Sequence, residues 1–104
     1  MQVYVNYENK KWKKYNIDFN KIASMAVSEA HKNAEVSITL VDDKQIHKIN
    51  KQYRGLDKPT NVISFELGDD ILLGDIFISL DTVIKEAKAE HISVEEHTSH
   101  KIVH

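Results

Sequence analysis

The stretch from Asn50 to Phe65, Asn-Lys-Gln-Tyr-Arg-Gly-Leu-Asp-Lys-Pro-Thr-Asn-Val-Ile-Ser-Phe, leaves the chain the least conformational freedom. The basic end of a helix runs into a loop holding Gly55 and the chain's single proline, Pro59. The loop feeds a short strand whose β-branched residues pack inward. Helix, bend and strand are thereby set in order, and the bend carries one arginine, Arg54, and one lysine, Lys58. A loop so built is placed to hold an anion.

The rest of the chain is organised on either side of this bend. Gln2 to Tyr7 alternates Val3 and Val5 with polar residues, as a strand with one buried face does. After a lysine-rich connection, Asp18 is an N-cap, Ile17 and Ile22 are spaced as a hydrophobic staple, and Phe19, Ile22, Ala23, Ala26 and Ala30 recur at helical spacing up to about Asn33. Val36 to Val41 alternates again. Asp42 with Gln45 three residues on opens the helix that leads to the bend. On it Ile46, Ile49 and Tyr53 share one side, and Lys44, Lys48 and Lys51 the other. Beyond the bend, Val62 to Leu67 and Ile71 to Ile78 read as two strands around a Gly68-Asp69-Asp70 turn, the second apolar on both faces except at Gly74-Asp75 and therefore central. Ser79 or Asp81 caps a third helix with Leu80, Val83, Ile84 and Ala87 toward the core, and Ser93-Val94-Glu95-Glu96 opens a fourth. The order β-α-β-α-β-β-α-α implies an α+β fold, a small mixed sheet of about four strands with helices packed on it. Residues 1–104 form one domain.

Composition narrows the function classes. With 14 basic and 16 acidic side chains the formal charge is −2, so the chain lacks the global basic footprint of a dedicated nucleic-acid binder, and any such contact uses a local patch. There is no cysteine, which removes disulfides and thiolate metal sites and fits a reducing, cytoplasmic setting. The apolar runs Ile71–Leu73 and Ile76–Ile78 are too short to cross a bilayer, so no membrane partner is expected.

Four groups of residues could carry chemistry. His97, His100 and His104 lie on one side of the last helix at i, i+3 and i+7, but the outer two are separated by roughly 10 Å at 1.5 Å per residue, too far to share one ion. Without further context His97 and His100 read as partly exposed helix positions. Arg54 offers a rigid fork of donors that matches phosphate oxygens, or else pairs with Asp57. Lys44, Lys48, Lys51 and Lys58 are either a solvated face or a surface attracting an RNA backbone. Asp75 sits in an apolar strand, where an unpartnered carboxylate is costly, so it is hydrogen-bonded or lines a cleft floor. No aromatic platform for stacked bases stands out, with Trp12 isolated and Tyr53 read as core. Ser64 has no histidine base at motif spacing and is not a nucleophile.

The run Tyr53 to Phe65 closely follows the pattern Y-R-G-x-D-x-P-T-D-V-L-S-F, with Asn61 in place of its aspartate and Ile63 in place of its leucine, and Asn50 precedes it at the right distance. In this the chain resembles the YbeY family, bacterial metal-dependent endoribonucleases of ribosomal-RNA maturation. The resemblance implies an α+β domain with a zincin-like metal helix. It also implies a Zn2+ ion held by three histidines and a functional arginine at Arg54. Lys51 and Lys58 are expected RNA contacts from their charge and position alone, not from the resemblance. The substrate would be single-stranded ribosomal RNA near the 3′ end of the small-subunit molecule, with the small ribosomal subunit or ribosome-associated proteins as partners.

The family's metal motif, H-G-x-L-H-x-x-G-x-D-H, aligns its first histidine with His104, the last residue of the chain. One of three ligands is therefore present, and the 104-residue chain is expected to be weakly or not catalytic and to bind zinc poorly. Two other readings stay open. One is a non-catalytic RNA-binding assembly factor. The other is a metal hydrolase of another substrate, against which stands the lack of an H-E-x-x-H glutamate.

Overall fold

Period-two alternation builds the sheet. In a computed structural model, which describes residues 2–26, 33–54, 62–67 and 71–103, four strands pair in the order β1-β2-β4-β3. They are β1 (Gln2–Tyr7), β2 (Glu35–Val41), β3 (Val62–Leu67) and β4 (Leu72–Ser79). β1 runs parallel to β2 and β2 parallel to β4, while β3 lies antiparallel to β4. The sheet is thus mixed and four-stranded, and β4 is an interior strand, as its apolar sequence suggested.

The helices are α1 (Phe19–Ala26), α2 (Asp43–Arg54), α3 (Leu80–Glu90) and α4 (Val94–Val103). Each opens where a local signal placed it. The Lys21 N–H donates to Asp18 Oδ1 at 3.1 Å, and the staple residues Ile17 and Ile22 are both buried. At the head of α2 the capping box closes in both directions. The Gln45 N–H donates to Asp42 Oδ1 at 2.7 Å, and the Asp42 N–H to Gln45 Oε1 at 3.0 Å. The Glu96 N–H donates to Ser93 Oγ at 3.0 Å at the head of α4.

One main cluster fills the face of the sheet formed by Val36, Ile38 and Leu40 of β2 and Ile76 and Ile78 of β4. Phe19, Ile22 and Ala23 of α1, Leu80 and Val83 of α3 and Ile102 of α4 close over it. The lysine-rich connection before α1 also contributes. It forms a 3₁₀ turn, Lys10–Lys14, that drives Trp12 into the cluster with no exposed surface. Its indole N–H donates to the Val41 carbonyl at 3.0 Å, and its ring meets Phe19 edge-on, 6.3 Å between centroids. Trp12 is therefore a core anchor rather than the isolated side chain its polar neighbours suggested.

Three further expectations are corrected. The two apolar faces of β4 are not equally buried: Gly74, Ile76 and Ile78 are buried, whereas on the other face Leu73 and Asp75 are exposed and Phe77 is partly buried. Asp75 thus remains in water and needs no buried partner. Ser79 occupies the N-cap position of α3, but its hydroxyl accepts no cap bond from the helix. Its hydroxyl and that of Thr82 both donate to Asp43 Oδ1, and the Asp43 N–H donates to Asp81 Oδ2 at 2.9 Å. Ser79 and Asp81 therefore clamp the first turns of α2 and α3 together rather than capping α3. Ile84 is 37% exposed, because Leu80, Val83 and Ala87 at i, i+3 and i+7 already define the buried stripe and Ile84 falls off its edge.

Candidate functional site

Arg54 is the last residue of α2, and the fold fixes that helix at its opposite end. Beyond the capping box and the Asp43 clamp, Asn9 Nδ2 donates to Asp42 Oδ2 at 3.2 Å and Gln45 Nε2 to the Glu8 carbonyl at 3.3 Å. Ile46 is fully buried on the inward side of α2, and Lys44, Lys48 and Lys51 are exposed on the outward side. The helix so held ends with Arg54 as its last residue. A helix C-terminus carries about half a negative elementary charge, so an anion bound there depends on basic side chains and gains nothing from the helix dipole. Lys51 and Arg54 stand in that last turn.

Of the site positions expected from the sequence, Lys51 is therefore an exposed residue of α2 and Arg54 terminates the same helix. Lys58 and the loop of residues 55–61 lie outside the described residues, as does His104. Ser64 is on β3, opposite Asp75 in register.

The helix that precedes His104 is set by a sharp turn at the end of α3. α3 ends in a left-handed residue, His91 (φ 59°, ψ 39°), and the Ile92 N–H reaches back to the Ala87 carbonyl at 3.0 Å, a Schellman-type stop. The chain reverses there, and α4 packs on α3 and α1 with Thr98 and Ile102 buried.

His97 is buried too, which corrects its reading as a partly exposed position. The packing of α4 against α3 brings it to Glu86 and Glu90, one helical turn apart. His97 Nε2 lies 3.2 Å from Glu86 Oε1, and Nδ1 3.3 Å from Glu90 Oε2, a close contact rather than an aligned hydrogen bond. Lys101 Nζ adds a third contact, 3.1 Å from Glu86 Oε1. Burial pushes the Glu86 carboxyl up, but the hydrogen bonds and charges of His97 and Lys101 outweigh it and hold the group below its ordinary 4.5. His97 is thus a structural residue tying α4 to α3. Sequence spacing could not show this, because the two glutamates arrive from another helix.

His100 is exposed and borders an open groove of about 370 Å³ between α1 and α4, beside Asp18, Lys21, Glu95 and Glu96. Among the described residues no group of three histidine or carboxylate side chains could hold a metal ion. The donor set available there does not fit a zinc centre, and no chemistry in this part of the molecule is assigned to one. Nor is any helix among the described residues long and apolar enough to cross a membrane.

Comparison with known proteins agrees with this architecture. A Thermotoga maritima protein of known solution structure superposes over 92% of this chain and 63% of its own, with a TM-score of 0.61 at 22% identity, a likeness of fold. Curated relatives called endoribonuclease YbeY include one from Beijerinckia indica, 51% identical over 78 residues that span 71% of this chain and 38% of the relative. Another, from Novosphingobium aromaticivorans, is 37% identical over 109 residues, 85% of this chain and 65% of the relative. One from Aquifex aeolicus is 38% identical over 108 residues, 99% of this chain and 71% of the relative. The chain spans less than two thirds of the length of the first of these relatives. The family model described as endoribonuclease YbeY matches residues 3–104, and the chain belongs to that family.

Proposed function

We propose that the chain belongs to a metal-dependent endoribonuclease that cuts single-stranded ribosomal RNA near the small-subunit 3′ end during ribosome maturation in the cytoplasm. The observation that carries this reading is the run Tyr53 to Phe65, with its arginine delivered at the end of a helix clamped to the sheet, inside a family match that extends over residues 3–104. Arg54 grips the phosphodiester: its guanidinium stays charged and presents two parallel donors to two phosphate oxygens. Lys51 and Lys58 attract the RNA backbone on either side, without reading its bases.

Zinc, with His104 as one ligand, belongs to this reading, and the ion's usual contribution in hydrolases is to activate a bound water. The role assigned to the described residues is narrower. They fix the two helices whose ends carry Arg54 and precede His104. The small ribosomal subunit and its associated proteins are the proposed partners.

The test uses a labelled RNA matching the small-subunit 3′ end, with zinc added. Cleavage is compared among the chain, its Arg54→Ala form and its His104→Ala form, and RNA binding is followed in parallel. Arg54→Ala should weaken RNA binding by about tenfold, the loss of one charge-assisted phosphate contact. Undiminished binding and cleavage in both variants would defeat the assignment.

A further inference from the structure

The densest positive charge in the described structure lies away from Arg54. Four lysines, Lys10, Lys11, Lys13 and Lys14, occupy a five-residue 3₁₀ turn in a chain whose net formal charge is −2. All four are exposed, and among the described residues none forms an ion pair with a carboxylate. Lysines that merely keep a surface soluble are usually interspersed with acids. Here Glu8 is the single acid between Tyr7 and Tyr15.

Two more observations separate this turn from an ordinary solvated face. First, it is rigid. Trp12, at its centre, is buried to zero exposure and hydrogen-bonded to Val41, so the lysines flank a fixed post and their backbone need not be ordered on binding. Second, it is bracketed by aromatic rings. Lys13 Nζ lies 5.9 Å from the centroid of Tyr7, and Lys14 Nζ 5.2 Å from that of Tyr15. Tyr7 is 39% exposed and Tyr15 half-buried. Cations beside partly exposed aromatic rings are what a single-stranded nucleic acid uses, phosphates meeting the cations and bases stacking on whatever ring surface is open. An acidic protein would need the charges alone, and a bilayer would favour an apolar face that this turn, its tryptophan pointed inward, does not offer.

We infer that the Trp12-anchored lysine turn is a docking surface for single-stranded RNA, separate from the Arg54 bend. The inference rests on the reading of the chain as an RNA-acting protein and adds a second point of contact. The turn abuts the head of α2 through Asn9 and Gln45, and Lys48 lies three residues from Gln45 on the same side of that helix. An RNA strand seated on the turn can follow α2, roughly 18 Å long at 1.5 Å per residue, toward Arg54.

The experiment measures binding of a fluorescein-labelled, unstructured RNA of roughly 16 nucleotides by anisotropy, with chelator present so that no cleavage occurs. Salt is varied, and the chain is compared with a form in which Lys10, Lys11, Lys13 and Lys14 are all replaced by glutamine. The slope of log affinity against log salt should become shallower by about 0.7 for each lost phosphate contact, hence by about 2 to 3. Tyr7→Leu should weaken binding about tenfold with the slope unchanged, the signature of a lost stacking contact. Emission of the buried Trp12 verifies that each variant is folded.

A wild-type slope in the four-lysine variant overturns the inference. So does failure of the chain to bind RNA, or tighter binding to phosphatidylglycerol vesicles than to RNA. Failure of the nuclease reading looks different: no cleavage when metal is supplied, with RNA still bound through the turn.

Discussion

Replacing Trp12 tests whether the lysine turn is held by the core or only adjoins it. The side chain has no exposed surface, donates to the Val41 carbonyl at 3.0 Å and meets Phe19 edge-on at 68° between ring planes. Truncation to alanine removes a large buried aromatic and leaves a cavity, at a cost of about 3–5 kcal/mol. A domain of this size has about 5–15 kcal/mol in total, so Trp12→Ala should lose about a fifth or more of the fold's stability. Trp12→Phe is the more discriminating change. It keeps a ring against Phe19 but has no N–H, so the Val41 carbonyl loses a donor inside the core, at about 1–3 kcal/mol.

At about 4–8 °C per kcal/mol for a domain near this length, a loss of about 2 kcal/mol lowers Tm by about 8–16 °C. Urea unfolding followed by far-ultraviolet circular dichroism is the suitable assay, since either substitution removes the chain's one tryptophan. The midpoint should fall with the denaturant slope unchanged, because the surface exposed on unfolding is nearly the same. If Trp12→Ala unfolds within about 0.5 kcal/mol of the parent chain, the indole is not a core anchor and the rigid turn built on it is refuted.

Other consequences can be measured on the same footing. Asp42→Ala removes the acceptor of both the Gln45 N–H and the Asn9 amide, and should cost about 1–2 kcal/mol in urea unfolding; a cost below about 0.3 would mean that the capping box contributes little. Glu86 has its carboxyl held below 4.5 in the folded state, so the stability its ion pairs provide is complete above that pH and is lost as pH falls through the lower folded value. Being 38% exposed, the group should contribute under about 1 kcal/mol, and the gap between the parent chain and Glu86→Gln should close on acidification from pH 6 to pH 3; a pH-independent gap would disprove the ion pairing. Calorimetric titration of zinc into the chain should show no tight stoichiometric binding through His97, because that ring is already engaged by Glu86 and Glu90; a large loss of zinc affinity in His97→Gln would contradict this.

The features legible in the sequence share one property: their causes lie within a few residues. Asp18, Asp42 and Ser93 each accept an N–H three residues on, and the alternation of Val36, Ile38 and Leu40 names the buried face of β2 directly. What was misread depends on partners far along the chain. Trp12 is buried because Val41 and Phe19 receive it, and nothing among its lysine neighbours announces that. His97 is buried because the stop at His91 folds α4 back onto Glu86 and Glu90. Ser79 forgoes its own cap because Asp43, 36 positions earlier, presents a carboxylate to it. In each case local propensity was correct about the backbone and silent about the side chain's partner.

The same distinction governs the candidate site. A motif can be recognised along the chain because its residues are contiguous, as Tyr53 to Phe65 are. A surface formed by a turn and a helix from different parts of the chain leaves no contiguous record. Lys10 to Lys14 read as a polar connection, and the lysines of α2 read as a solvated face; only the bonds from Asn9 to Asp42 and from Gln45 to Glu8 make them neighbours. Electrostatic attraction of a flexible polyanion sums over all cations within reach, so joining two modest clusters raises affinity more than either alone would indicate. That is why the salt slope, which counts phosphate contacts, discriminates better than a single affinity between an RNA strand gripped only at Arg54 and one that is also seated on the Trp12 turn.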